Sequence, residues 1–182
     1  MTPDWKPFLI VAGGPKERPA PMRDLATQEG IGDRLRTAAF AEVQAREAFN
    51  WAADQFTEAT DALRRTWRAL ALAEQRHLDW LLRRMEELGI RPDERTVSDQ
   101  LWHSLRSCKK AEEFAIYMAS AEDRGRKAGE RFYQALLATD PVTAKIFGKI
   151  AEEEIEHIAL AARHYPDAWK AYKAAGRTTS TD

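Results

Sequence analysis

With one cysteine, Cys108, among 182 residues, the chain can form neither an intramolecular disulfide nor a thiolate metal cluster. A chain without disulfides suits a reducing compartment, so the cytoplasm is the expected location. Long apolar runs are missing too. The longest obvious one, Phe8-Leu9-Ile10-Val11-Ala12, falls far short of the roughly 20 residues that span a bilayer. It follows Asp4 and Pro7 rather than a basic leader, so neither a membrane anchor nor a signal peptide is expected. Nor does one sign of charge dominate: 28 Lys plus Arg against 29 Asp plus Glu leaves -1, which gives no global footprint for nucleic acid or an anionic membrane.

What is present is helical. Pro3, Pro7, Pro15, Pro19 and Pro21 with Gly13-Gly14 preclude a long helix early on and predict an extended arm over residues 1–31. Trp5 and Phe8 are poor residues to leave in water, so the arm is expected to lie against the body of the protein or a neighbouring subunit. After Gly32 the texture turns to stretches rich in Ala, Leu, Glu and Arg. A first helix is predicted over about 33–56. A second, capped by Thr57 or Thr60, runs to Leu88 and stops at Gly89, with Pro92 beyond. A crossover over 89–110 holds a short capped helix around Ser98-Asp99-Gln100-Leu101-Trp102. A third long helix spans about 111–137. Asp140-Pro141 then supplies an N-cap and a first-turn proline for a fourth, ending near Arg163. A short helix over 166–175 and a polar tail over 176–182 complete the chain. No segment alternates convincingly as a strand. The 44% apolar content suffices for one core, and the predicted fold is all-α: an antiparallel four-helix bundle over 32–175.

Two of the four histidines close the same spacing, Glu74-Gln75-Arg76-His77 and Glu154-Ile155-Glu156-His157. Residues i and i+3 share a helix face, so each motif can aim a carboxylate and an imidazole at one point, a donor pair suited to iron or manganese. Each motif also has a glutamate on the preceding long helix: Glu42 and Glu122, both 32 residues upstream. Adding 80 to Glu42, Glu74 and His77 gives Glu122, Glu154 and His157, and Arg46/Arg126 and Ala71/Ala151 match at the same offset. The second hairpin thus repeats the first as a functional unit. Four glutamates and two histidines meeting in a bundle is the ligand set of carboxylate-bridged dinuclear sites, so two metal ions are expected.

The bland alternative is that such motifs arise by chance on the solvated faces of charge-rich helices. Trp67 and Leu81 flank Glu74 on its stripe and Ile146 and Ile150 precede Glu154, which opposes it, because carboxylates on a core stripe are costly without compensation. Register stays ambiguous at Glu153 for Glu154, Glu130 for Glu122 and Glu47 for Glu42, although only the chosen set keeps both 32-residue separations. Arg46 and Arg126 are read chiefly as salt-bridging to non-ligand acids. His103 and His164, without an acidic partner at ligand spacing, are read as ordinary surface or interface residues. Tyr117 and Tyr133 lie off the ligand stripe, and Phe49, Trp67, Leu70, Leu81 and Ile150 are expected to wall the site.

Ala41-Glu42-Val43-Gln44-Ala45, the Glu74-to-His77 motif, Ala121-Glu122-Asp123-Arg124-Gly125, Glu153-Glu154-Ile155-Glu156-His157 and the Leu101-Trp102 dipeptide together resemble the ferritin-like proteins called domain of unknown function 455. That family is similar in turn to bacterial tRNA hydroxylases and, more distantly, to rubrerythrin and ferritin. The resemblance implies a ferritin-like bundle in which Glu42 and Glu122 are terminal ligands, Glu74 and Glu154 bridge, and His77 and His157 give one nitrogen to each metal. The leading expectation is a di-iron oxidoreductase, with manganese as the alternative metal, that activates oxygen or peroxide to oxidise or hydroxylate a small-molecule substrate as a homodimer or higher homo-oligomer. Iron handling by a ferroxidase is a second reading. A tRNA-modifying hydroxylase is a third, opposed by the net charge, since avid tRNA binding needs several phosphate contacts.

Overall fold

The computed structural model describes residues 3–12 and 17–178, with side chains through residue 175. Gly13, Gly14 and Pro15 of the arm, and 179–182 of the expected polar tail, lie outside the described residues. The chain forms two compact units, residues 1–55 with 64–107 and residues 56–63 with 108–182.

In the first unit the long helix α1 spans Gln28–Gln55 and the next, α2, spans Asp61–Glu87, its first turn belonging to the second unit. Helix α1 begins before the Asp33 expected from the sequence, because Thr27 caps it: the Thr27 hydroxyl accepts from the Gly30 amide at 3.0 Å. Gly30 is needed there rather than disruptive. A Cβ on it would lie 1.7 Å from the Asp24 carbonyl oxygen, and one on Gly32 would press on Ile90 at 3.0 Å. The two helices run antiparallel. Gln28 donates to the Leu88 carbonyl (2.6 Å), Arg64 to the Ala53 carbonyl (2.7 Å), and Arg68 pairs with Asp54 (2.6 Å). Gly89, at φ +66°, ends α2 in the left-handed region, and Ile90 donates back to Met85 O at 2.8 Å, a closure that favours glycine.

The arm packs on α1 and on the short helix α3 (Gln100–Arg106). Trp5 stands edge-on to Phe40 (5.4 Å) and to Trp102 (5.7 Å), and Phe8 tilts against Phe40 (5.1 Å). The expectation of no strand needs a small correction: β1 (Leu9–Ile10) pairs in parallel with β2 (Thr96–Val97). Two residues are too few to show alternation in a sequence. Gln44, buried on α1, ties this layer down. Its amide donates to Ser98 O (3.3 Å) and its carbonyl accepts from Trp102 N (2.9 Å).

In the second unit, α4 (Ala111–Leu136) and α5 (Pro141–His164) form a hairpin, followed by α6 (Pro166–Thr178). Asp140 caps α5 through the Thr143 amide at 3.1 Å, with Pro141 in the first turn. The helices approach closely at small residues: Gly148 faces the Tyr133 ring and Gly129 the Phe147 carbonyl. Phe132 and Phe147 pack edge to face at 5.2 Å. Tyr172 of α6 hydrogen-bonds Ser120 of α4.

Candidate metal centre

In the first unit Glu42 comes from the middle of α1, Glu74 and His77 from the middle of α2. His77 and Glu74 are fully buried and Glu42 is 12% exposed. His77 Nδ1 lies 3.6 Å from Glu42 Oε2 and 3.6 Å from Glu74 Oε2, and one donor atom from each of the three can be chosen within 4.8 Å of the others. The helical hairpin explains the convergence: i and i+3 on α2 face one point on the neighbouring α1. Trp80, one turn beyond His77, packs its ring 5.5 Å from the imidazole.

The second unit repeats the arrangement. Glu122 projects from α4, Glu154 and His157 from α5, all three buried. His157 Nδ1 lies 3.4 Å from Glu154 Oε2, and donor atoms of Glu122, Glu154 and His157 again fall within 4.8 Å of one another. The competing acids are engaged elsewhere: Glu153 pairs with Lys149 (3.4 Å), Glu130 with Arg126 and Glu47 with Arg46 (2.6 Å).

These donors fit a cation. At metal–donor distances of about 2.1 Å, two donors on one ion stand about 3.0 Å apart at a right angle and about 3.6 Å apart at 120°, the range of the His–Glu separations. Each set offers two carboxylates and one imidazole, so one divalent ion brings it to neutrality. Like-charged carboxylates crowded in a buried site are otherwise costly. Oxygen and imidazole donors without thiolate suit iron, manganese or zinc. Either cluster could hold a metal ion.

Arg46, half-buried one turn after Glu42, bonds Glu47 and Gln75. Arg126 bonds Asp123 (3.0 Å) and Glu130. Burial opposes ionisation of Asp123, but hydrogen bonds from Lys127 and Arg126 outweigh it and hold the carboxyl below its ordinary value. Both arginines are thus occupied by acids outside the two clusters. His103 pairs with Asp99 at 3.1 Å, four residues earlier. Asp99 is the N-cap of α3 and His103 lies within it, so the geometry is that of a local tie at the start of a short helix. His164 is exposed at the end of α5.

Sequence reasoning missed a second buried polar cluster. Asp33, 4% exposed, accepts from the Arg23 amide (2.9 Å) and guanidinium, from Arg36 (3.1 Å) and from Arg95. Arg36, 1% exposed, also donates to Arg91 O (2.8 Å) and Glu94 (3.0 Å). Burial would raise the Asp33 carboxyl, but the Arg23 hydrogen bonds and the Arg95 charge overcome it and hold the group at about 2. The Asp33-x-x-Arg36 spacing is the only sequence signal, and it is indistinguishable from a surface helix pair.

Compared with known proteins, residues 13–178 match the family described as "Protein of unknown function (DUF455)". Among solved structures, the chain is similar to the bacterioferritin-related protein from Bacteroides fragilis, described as a dodecameric thioferritin. The TM-score is 0.67 at 18% identity, covering 81% of this chain and 91% of that one. The fold is therefore that of a ferritin-like bundle. No curated protein matches. No helix among the described residues is long and apolar enough to cross a membrane.

Proposed function

We propose that this chain, which belongs to the DUF455 family of proteins of unknown function, is a dinuclear-metal carboxylate oxidoreductase holding two ions, iron foremost, between Glu42, Glu74, His77, Glu122, Glu154 and His157. The observation that carries this reading is the repetition: each unit brings together the same Glu plus Glu-x-x-His set, with donor atoms within 4.8 Å of one another. The constant 80-residue offset between the sets and the ferritin-like fold support their acting together.

Two iron ions held there would supply the redox equivalents for reducing oxygen or peroxide and oxidising an organic substrate. The chain's own part is positional. Glu42, Glu74 and His77 would hold one ion and Glu122, Glu154 and His157 the other, each set offering two carboxylates and one imidazole nitrogen. Trp80 against the His77 ring limits its rotation. Phe49, Trp67 and Leu81, all buried, keep bulk water away, which strengthens carboxylate–cation attraction in the interior.

Iron handling is the second reading, favoured by the dodecameric thioferritin described for the structural neighbour. One experiment separates the two. The Fe(II)-loaded chain is exposed to limiting oxygen, and iron per chain and particle mass are followed together. The oxidoreductase keeps about two irons per chain and consumes further oxygen only when a reductant is added. Accumulation of iron well beyond that ratio inside a shell would assign storage instead.

A further inference from the structure

On the first unit, a cavity of about 440 Å³ lies between the arm, α1 and the segment around β2, within the roughly 300–1,000 Å³ typical of small-molecule sites. It is separate from the metal centre. At 3.6 residues per turn, Asp33, Phe40 and Gln44, which line it, stand about 160–180° around α1 from Glu42. A ligand here would therefore not reach the metal-facing side of the helix.

We infer that this cavity binds an amphipathic organic anion, a carboxylate carrying an apolar chain. Three observations set the sign of its charge. First, the local cluster holds three guanidiniums, Arg23, Arg36 and Arg95, against two carboxylates, Asp33 and Glu94. Arg18, also lining the cavity, is exposed and has no ion pair among the described residues. Second, Asp33 offers nothing to a cationic ligand. Its two oxygens already accept from Arg23 (backbone and side chain), Arg36 and Arg95, which uses the capacity of a carboxylate. Third, Arg95 donates to Asp33 and to Pro21 O (3.0 Å), leaving three of its five N–H donors for an anion. The remainder of the lining accounts for the apolar part: the side chains of Pro19, Met22, Ala41 and Leu101 give the chain a wall without polar demands.

The carboxylate is held by Arg18 and Arg95 at the charged end, and the chain lies along Ala41 towards Leu101. Because the arm forms one side of the cavity, occupancy fastens the arm to α1.

Isothermal titration of the full, metal-loaded chain with decanoate, decanol and decylammonium tests this. Decanoate binds, and the other two bind at least about tenfold more weakly. Arg18→Ala weakens decanoate about tenfold, the loss of one charge-assisted hydrogen bond. Thr37→Trp, which places an indole at the exposed rim, abolishes binding, with unchanged metal content and circular dichroism showing that the fold is kept. Decanol binding as tightly as decanoate overturns the inference. So does decanoate binding that neither substitution alters, or no heat from decanoate at any concentration below micelle formation.

Discussion

His77 Nδ1 lies 3.6 Å from Glu42 Oε2 across the α1–α2 hairpin, a separation too long for a good hydrogen bond and right for two donors on one cation. Two of the three residues in that set are carboxylates, so the hairpin is more comfortable with an ion than without one. Glu74→Gln is therefore expected to act with opposite signs in the two states. In the chelated protein it relieves like-charge crowding and raises the melting temperature. In the metal-loaded protein it lowers it. Calorimetry with and without chelator reads both, and a melting temperature lowered equally in each would show that Glu74 serves packing alone.

Metal removal itself should cost stability. An ion that binds only the folded chain contributes about 2.7 kcal/mol at a free concentration one hundred times its Kd. His77→Ala and His157→Ala should each shrink the gap in melting temperature between loaded and chelated protein, and the cavity left by each buried imidazole lowers the chelated value as well, so the gap is the readout. Equal gaps in wild type and both variants would contradict this.

Asp33 makes the first unit sensitive to acid. Its folded-state pKa, about 2, lies below the ordinary carboxylate value near 4, so its contribution is fully present above about pH 4 and is lost as pH falls towards 2. The amount is on the order of 2 kcal/mol. Asp33→Asn removes the buried one of the two carboxylates that pair with Arg36, leaving only the half-exposed Glu94, and the expected cost is about 3 kcal/mol at neutral pH. Acid titrations followed by tryptophan fluorescence should show the wild-type transition in that window and a flattened one in Asp33→Asn. Glu94→Gln, at a half-exposed partner, should cost much less.

Two glycines predict opposite outcomes. Gly125 lies within α4, where an added Cβ would meet nothing within 4 Å, so Gly125→Ala should stabilise by about 0.5–1 kcal/mol. Gly30→Ala would drive a methyl into the Asp24 carbonyl and should cost about 1–3 kcal/mol, together with protection of the arm against proteolysis. Denaturant unfolding and limited proteolysis check both.

The contrast between those glycines shows where sequence reading reached and where it stopped. The helices around the metal clusters were legible because their signals are local: Thr60, Asp140-Pro141 and Gly89 each act on adjacent backbone, and Glu-x-x-His repeats at a fixed offset. The start of α1 at Gln28 was not legible because what favours Gly30 and Gly32 inside it, the Asp24 carbonyl and the Ile90 side chain, comes from segments distant in sequence or folded back on it. The Asp33–Arg36–Arg95 cluster and the Gln44 tie to Trp102 were hidden for the same reason. Charged and amide residues on a long helix look solvated until the arm and the crossover cover that second face of α1.

The most direct test of the account is the metal content of the purified chain after anaerobic Fe(II) loading and desalting, measured by elemental analysis beside Glu74→Ala and His157→Ala. The account predicts about two irons per wild-type chain, and a loss in each variant that retains native helicity. A folded wild-type chain that holds no iron above background, or variants that hold as much as wild type, would contradict it.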